Sequence, residues 1–427
     1  MYLLTGGASR ATPVTCLVAC LLAAAAGCAR EPAGRRLVVA VNAGVEGDAL
    51  KKAARDYEQS SGIRMELVEL PYGSLFEKAM LDLDSRTGAY DVIMMDDPWF
   101  PRLASGEKLA PLEPLYAKAG AAGPDADFIA SSLQLCHEPY PDGRLYALPY
   151  VGNSQFFFYR RDLFEKHGLE APKTWDEVLR AARRIRETET GMYGYVMRAA
   201  PGNAAVADFM PVLWAFGADL LSPEGAPLLD TPEAAGALEF MIELGRYTSP
   251  AYISFNADEV NAHLLQATSA MAINWPSWIS AMDDPAKSRV VGKIAFTPMP
   301  GQRRPGRAAL GNWLLGIPAA SKNVDAAFTF VRWATDPAQM RVAAERGCPP
   351  TRHSIFQDAD LVRRFRAYPV QYESLRTARP RPRTANWNEI ENVFGVYVSK
   401  ANAKSISVAD ALARAQTEIA EIQRRNR

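Results

Sequence analysis

Four of the eight tryptophans in this 427-residue sequence lie at or near the ends of predicted strands, beside polar residues and proline or glycine. They are Trp99, Trp275, Trp278 and Trp313. An indole ring stacks on flat, C–H-rich faces, while neighbouring amides and carboxylates bind hydroxyl groups. These tryptophans therefore indicate a site that binds a flat solute with polar edges, with core packing at the strand ends as the alternative.

Two carboxylates accompany the first of these rings. In MMDDPWF, Asp96 and Asp97 follow a predicted strand and precede Trp99. Successive strand side chains point to opposite faces, so one of the two meets the ligand. We expect this to be Asp97, with Asp96 as the alternative, and the other carboxylate to cap the helix after Pro98. In the loop NAGVEGD, Asn42 and Glu46 are weaker candidates.

The elements that position these residues alternate between strand and helix. Residues 37–42 form a buried strand, residues 48–60 a helix, and RMELVEL a second strand; a helix over residues 74–83 and the strand in YDVIMMDD follow. This βαβαβ order predicts a parallel sheet with binding loops at the carboxyl ends of its strands. A capping box at Thr174 and the strand GNWLLGIP mark a second α/β unit. Chain crossings near residues 150 and 300 would leave a cleft between two lobes, where small ligands usually bind.

Charge and motifs exclude several other classes of protein. The chain has 48 acidic and 48 basic residues, so net charge does not attract it to nucleic acid. It has no nucleotide-binding glycine loop, no GxSxG and no HExxH, and its four histidines are scattered. We therefore expect no cofactor, metal or catalysis. The rival enzyme, a lipid-anchored glycoside hydrolase, needs two facing carboxylates, and Asp96 and Asp97 diverge.

The N-terminus has the pattern of an export signal. An apolar stretch over residues 17–27 follows Arg10 and is shorter than the roughly 20 residues that span a bilayer. The residues Ala25-Ala26-Gly27-Cys28 resemble a lipobox, which predicts cleavage after residue 27 and lipidation of Cys28. The alternative is an ordinary signal peptide cut after a small residue. Residues 28–36 are polar and predict a tether.

Two cysteines, Cys136 and Cys348, remain in the exported domain. In an oxidising compartment they form either a disulfide or two buried thiols. Both alternatives stay open.

Several segments together resemble the carbohydrate-binding family of ABC-transporter extracellular solute-binding proteins, which includes maltodextrin-, trehalose- and oligosaccharide-binding lipoproteins. They are YDVIMMDDPWFPRLASGEKLAPLE, GRLYALPYVGNSQFFFYRRDLFEKHGLEAPKTWDEVLRAA, AMAINWPSW, GNWLLGIPAASKNVDAAFTFVRWATDPAQM and GCPPTRHSIF. The resemblance implies an α/β clamshell of the periplasmic-binding-protein type, with an interlobe cleft and a hinge of crossover strands. It implies that lobe 1 contains residues 37–150 and 300–350, and lobe 2 residues 151–299 and 351–427.

The resemblance also implies further ligand-binding residues. Asn153 occupies a position where some members carry a carboxylate. Asn312 and Trp313, in GNW, match a loop that faces the second lobe. Arg352 matches a recurrent Pro-Thr-Arg segment near the cleft, with a structural ion pair as the alternative. In the run Arg379, Arg381 and Arg383, we select Arg383 for contact with an acidic sugar, with a solvated surface as the alternative.

The predicted protein is thus a monomeric, lipid-anchored extracytoplasmic component of an ABC importer. It binds a sugar or oligosaccharide by closing its lobes around it and delivers it to a membrane permease. The rival ligands within the same architecture are a polyamine, glycerol phosphate or another anionic solute.

Overall fold

The computed structural model of the protein describes residues 36–425. The predicted signal sequence, Cys28 and all but the last residue of the tether lie outside this range. The strands are β1 Arg36–Asn42, β2 Arg64–Leu70, β3 Val92–Asp96, β4 His137–Glu138, β5 Arg144–Leu145, β6 Ala147–Val151, β7 Phe156–Arg160, β8 Met271–Asn274, β9 Ile294–Thr297 and β10 Trp313–Gly316. The helices are α1 Val45–Ser61, α2 Tyr72–Ser85, α3 Phe100–Ala104, α4 Glu113–Lys118, α5 Ala130–Gln134, α6 Arg161–His167, α7 Trp175–Thr188, α8 Asn203–Phe216, α9 Pro232–Leu244, α10 Ala257–Leu265, α11 Ile279–Met282, α12 Val324–Ala334, α13 Pro337–Glu345, α14 His353–Gln357, α15 Ala359–Arg364, α16 Tyr368–Thr377, α17 Trp387–Asn402 and α18 Val408–Arg425.

The first lobe is built on a five-stranded sheet in the order β2-β1-β3-β10-β6. Strands β1, β2 and β3 are parallel and joined by α1 and α2, so the predicted βαβαβ unit is confirmed. All five residues of β3 are buried, as expected for a strand covered on both faces. Strand β10 lies antiparallel between β3 and β6, and its first residue, Trp313, pairs with Asp96.

The second lobe has a three-stranded antiparallel sheet in the order β8-β7-β9. Its central strand carries the aromatic run Phe156, Phe157 and Phe158, which is fully buried against helices of this lobe. Helix α7 begins at the predicted capping box, in which Thr174 accepts a hydrogen bond from the Glu177 backbone N–H at 3.2 Å. The two-lobe α/β fold expected from the sequence is therefore present.

Three chain segments cross between the lobes and pair with one another. The first and second are linked by the Gln155 N–H, which donates to the Ala309 carbonyl at 3.1 Å. The second and third are linked by the Leu310 N–H, which donates to the Arg379 carbonyl at 2.9 Å. The sequence pattern indicated the first two crossings, and the lobe boundaries implied by the resemblance placed a third near residue 350. Together the three segments form a hydrogen-bonded hinge.

The lobe boundaries differ from those expected at residue 350. Residues 355–375, including Ile355 and Leu375, pack into the hydrophobic cluster of the first lobe. From Trp387 onward, the buried apolar residues belong chiefly to the hydrophobic cluster of the second lobe. The third crossing therefore lies between α16 and α17, because the apolar faces of α14 to α16 are buried against the first lobe.

Cys136 and Cys348 are both buried and unpaired, so the disulfide alternative is wrong. The Cys136 thiol lies 3.8 Å from the Ser132 carbonyl oxygen, and the Cys348 thiol 3.8 Å from the Pro349 carbonyl oxygen. Each sulfur is thus turned toward its own local backbone. Among the described residues, no helix has the length and apolar character needed to cross a bilayer.

The start of α1 depends on a glycine. A Cβ atom at Gly47 would lie 1.8 Å from the Asn42 carbonyl oxygen, whereas a Cβ at Gly73, in the first turn of α2, would meet no atom within 4 Å. We expect Gly47→Ala to lower the free energy of unfolding by about 1–3 kcal/mol, because the backbone must shift to relieve the overlap. Urea denaturation followed by tryptophan fluorescence measures the change.

Gly73→Ala is the matched control. It should leave the free energy of unfolding unchanged or raise it by up to about 1 kcal/mol, since alanine is the better helix former. Equal effects of the two substitutions would contradict this account of the α1 terminus.

Candidate functional site

A cavity of about 520 Å³ lies between the lobes. Residues from both lobes and from the hinge line it, among them Asn42, Glu46, Tyr72, Asp96, Asn153, Arg198, Asn203, Asn256, Asp258, Trp275, Trp278, Gly311, Trp313 and Arg381. A second cavity of about 540 Å³ is lined by Arg379 and Arg383, which alternate with Arg381 along the third crossing segment. We assign the site to the first cavity because it collects tryptophans and polar groups from both lobes.

The carboxyl ends of the parallel strands supply the first-lobe side of the cavity. Asn42 ends β1, Glu46 lies in the first turn of α1, and Asp96 ends β3. Tyr72 begins α2, directly after β2. This is the edge at which open α/β sheets bind ligands. Trp313 lies at the same edge, because it begins the antiparallel β10 opposite Asp96.

Asp96, and not Asp97, lines the cavity. The Tyr72 hydroxyl donates to Asp96 Oδ2 at 2.8 Å, and Arg381 Nη2 lies 3.4 Å from both carboxylate oxygens. Asp97 is fully buried behind it, and its Oδ2 accepts the Asn312 backbone N–H at 2.8 Å. The 3₁₀ turn of residues 97–99 turns Asp97 away from the cavity and into the hinge. Our preference for Asp97 was therefore wrong.

Trp99 is also buried and lies outside the cavity lining. Its ring centroid is 4.5 Å from that of Tyr72 and 5.7 Å from that of Trp313. The angles between the ring planes are 55° and 82°, respectively. Trp99 thus supports two aromatic residues that do line the cavity. The first lobe presents Tyr72, which was not predicted, and the predicted Trp313, whereas the predicted Trp99 lies behind them.

Arg381 is buried at the point where the hinge meets both lobes. Besides Asp96, its guanidinium lies 3.9 Å from Asp97 of the first lobe and 3.6 Å from Glu391 of the second. Glu391 also accepts a hydrogen bond from Asn203 Nδ2 at 2.9 Å. Burial raises the pKa of Asp97 to about 6 and that of Glu391 to about 7, although Arg381 opposes both shifts.

The second lobe supplies two indoles from the segment after β8. Trp275 lies against the hinge, since a Cβ at Gly311 would be 2.6 Å from its ring atom Cη2. The Arg198 guanidinium lies 5.6 Å from the Trp275 ring centroid and is held by Asp208, whose Oδ1 is 2.7 Å from Arg198 Nε. Trp278 lines the cavity and also packs against the second-lobe core.

Asn153 and Asn312 hold the hinge together beside the cavity. The Ser277 hydroxyl donates to Asn153 Oδ1 at 2.8 Å, and Asn312 Nδ2 donates to the Asn153 carbonyl at 3.0 Å. Asn153 lines the cavity, whereas Asn312 is fully buried behind it. Asn312 therefore stabilises the hinge and does not line the cavity.

The two selected arginines lie away from the cavity. Arg352 Nη1 is 2.6 Å from Asp125 Oδ1, and its guanidinium is 3.8 Å from the Phe128 ring centroid, so the structural ion pair is the correct alternative. Arg383 donates to the carbonyls of Asp97 at 2.7 Å and Leu135 at 2.9 Å. These hydrogen bonds to first-lobe carbonyls hold the Arg383 side chain in the lining of the second cavity, outside the candidate site.

Six lining residues with polar or charged side chains were not predicted: Tyr72, Arg198, Asn203, Asn256, Asp258 and Arg381. Tyr72 follows a parallel strand, so the strand-end rule that selected Asn42 could have found it. Arg381 belongs to a run that was noted, but Arg383 was selected in its place. The others lie on second-lobe segments with no local signal of a site.

Comparisons with known proteins give a consistent family assignment. The sequence model for bacterial extracellular solute-binding proteins matches residues 43–341. The probable amino-acid ABC transporter periplasmic-binding protein y4oP of Sinorhizobium fredii is 26% identical over 354 residues, covering 80% of this chain and 78% of that protein.

Two solved structures share the whole architecture. The ABC transporter solute-binding protein of Agrobacterium radiobacter, in complex with ribitol, superposes with a TM-score of 0.85 at 26% identity over 91% of this chain and 99% of that one. Maltose-bound MalE3 of T. maritima gives 0.82 at 27% identity over 91% and 100%.

The buried Glu391 generates a pH-dependent prediction. The pKa of Glu391 is about 7 in the folded protein, whereas that of an ordinary glutamate in the unfolded chain is near 4.5. Between these two pH values the folded protein binds more protons than the unfolded chain, so the free energy of unfolding falls as the pH rises from about 4.5 to about 7. We expect Glu391→Gln to flatten that fall. The unfolding free energy of the variant minus that of the natural protein should be more positive at pH 8 than at pH 5. Urea unfolding at both pH values measures this difference.

The control is Glu389→Gln, which changes a more exposed acid on the same helix, α17. If Glu391→Gln and Glu389→Gln show the same dependence of unfolding free energy on pH, the burial of Glu391 is not the cause.

Proposed function

We propose, from the premise that the chain belongs to the bacterial extracellular solute-binding protein family, that its ligand is a small polyhydroxylated solute, a sugar or polyol. The protein is a solute-binding component of an ABC transporter and acts outside the cytoplasm. The observation that carries the ligand class is the interlobe cavity, where Trp275, Trp278 and Trp313 accompany amides and carboxylates from both lobes.

Cavity size favours a small solute. Its volume of about 520 Å³ lies in the lower half of the roughly 300–1,000 Å³ range of small-molecule sites. Bound ribitol and maltose in the two similar structures agree with this size class. We therefore favour a polyol or a sugar of one or two units over a longer oligosaccharide.

Binding would be coupled to closure through contacts with both lobes. Asp96 and Asn42 belong to the first lobe, and Trp275 and Asn203 to the second. A ligand that contacts all four has more interactions in the closed form, and only such differential affinity shifts the equilibrium. The three paired crossing segments would bend as the hinge. The closed, loaded protein would then deliver its solute to a membrane permease.

The charge of the cavity disfavours an anionic solute. Its two arginines, Arg198 and Arg381, already face buried carboxylates, while Arg352 and Arg383 lie elsewhere. Catalysis by Asp96 and Asp97 as a carboxylate pair is disfavoured too, because Asp97 faces the hinge. We accordingly propose binding without catalysis, by a monomer.

We expect Trp275→Ala to weaken ligand binding about tenfold, because a lost stacking contact and its buried area amount to about 1.4 kcal/mol. Thermal shift with ribitol, mannitol, glucose and maltose identifies a ligand, and isothermal titration calorimetry measures its affinity. Saturation at 100 times the dissociation constant adds about 2.7 kcal/mol to stability.

The control is Trp333→Ala, which removes a half-buried indole of the first lobe that packs on Tyr57, away from the cavity. Affinity should be unchanged in this variant. Unchanged affinity in Trp275→Ala would contradict the assignment of that indole to the binding site. A melting temperature that no sugar or polyol changes would contradict the proposed ligand class.

We also propose that the protein is anchored through a lipid on Cys28, from the lipobox-like sequence before it. Cells that express the full chain should incorporate radiolabelled palmitate into it, and Cys28→Ser should abolish the label and release the protein from the membrane fraction. Cys16→Ser, within the predicted signal, is the control. Retained label in Cys28→Ser would exclude this anchor.

A further inference from the structure

Two carboxylates from opposite lobes line the cavity without a cation between them. Glu46 lies in the first turn of α1, in the first lobe, and Asp258 lies in the first turn of α10, in the second. Within residues 36–425, neither carboxylate is within ion-pair distance of a basic group or accepts a hydrogen bond from another residue. Burial, with smaller contributions from Asp96 and Asp258, raises the pKa of Glu46 to about 7.

The positive groups of the lining are already compensated. Arg198 is paired with the fully buried Asp208, and Arg381 lies among Asp96, Asp97 and Glu391. Neither guanidinium is left to neutralise Glu46 or Asp258. The uncompensated charge of the cavity is therefore negative, and it is divided between the two lobes.

An independent observation indicates a missing donor on the same side of the cavity. Asn42 lines the cavity with only 4% of its surface exposed, and its buried Oδ1 has no hydrogen-bond partner among the described residues. It lies at the end of β1, four positions before Glu46. A buried acceptor without a donor is costly, so rotation of the amide that turns Oδ1 toward a donating ligand in the cavity would satisfy it.

These features fit an ammonium group better than a metal ion. An ammonium has three donors for Glu46, Asp258 and Asn42, and it is attracted to indole faces such as those of Trp275 and Trp278. No group of three or more potential metal ligands of the His, Cys, Asp and Glu types occurs in the described part of the chain.

We propose that the preferred ligand is an amine-bearing sugar or polyol whose ammonium group binds between Glu46 and Asp258, an inference that rests on the proposed function. The hydroxyls of such a solute bind the remaining polar groups, including Asp96 and Asn153. Without a cation, two negative charges on opposing lobes repel each other as the lobes approach. When the ammonium group lies between them, it attracts both Glu46 and Asp258, so its positive charge stabilises the closed form.

The experiment compares ligands that differ only at the amine. Isothermal titration calorimetry at pH 7.5 measures glucosamine against glucose and N-acetylglucosamine, and 1-amino-1-deoxysorbitol against sorbitol. We expect the amine of at least one pair to bind at least tenfold more tightly than its neutral partner. Glu46→Gln and Asp258→Asn should each reduce that ratio, and the double variant should bring it close to one.

Asp258 is exposed, so Asp258→Asn keeps the test decisive if Glu46→Gln fails to fold. The control is Asp56→Asn, which changes an acid on α1 that is paired with Arg346 outside the cavity lining and should leave the ratio unaltered.

The outcomes separate the two proposals. Equal or weaker binding of both amines, while the neutral sugars or polyols bind, overturns the amine preference and leaves the proposed function intact. If no sugar or polyol binds in either form, whether or not a polyamine such as spermidine does, the proposed function fails and the amine preference fails with it.

Discussion

The site depends on one buried guanidinium. Arg381 lies on the third crossing segment and faces Asp96 and Asp97 of the first lobe and Glu391 of the second, at 3.4–3.9 Å. Each of these charges would be costly alone in the interior, and removal of one partner from such a cluster leaves the others uncompensated. The network therefore holds both lobes and the hinge in a fixed relation beside the cavity.

This network also decides which groups remain for a ligand. Asp97 uses its carboxylate on the Asn312 backbone, and Arg381 is surrounded by carboxylates, so neither is free to recognise a solute strongly. Asp96 retains its place in the lining while Tyr72 and Arg381 orient it. Recognition is left to the indoles, the amides and the unpaired acids, which come from both lobes.

Hinge and binding site are physically one region. The carbonyl of Asn153 accepts the Gly311 backbone N–H at 2.9 Å, Gly311 underlies the Trp275 ring, and the side chain of Asn153 accepts from Ser277. A ligand that contacts Trp275 therefore touches the segments that must bend. This proximity lets a small solute affect the relation between the lobes without a longer path of coupling.

The sequence by itself determined the fold class and one edge of the site. The hydrophobic runs of β1 and β3 and the helical spacing of α1 are local patterns, and parallel strands place their carboxyl ends at one edge; Asn42, Glu46 and Asp96 follow from that rule. Trp275 and Trp313 were selected as tryptophans beside polar residues at predicted strand ends, whereas Asn153 was reached through family resemblance. Tertiary structure alone decided that Asp96 faces the cavity rather than Asp97, because a single 3₁₀ turn reverses their directions. It alone placed Arg381 and Asp258 in the lining. These residues lie about 285 and 160 positions beyond Asp96, and they reach the cavity only through a third chain crossing and through the packing of the second lobe. Periodicity describes which face of an element is buried, and it contains no information about which distant segment will be packed against that face.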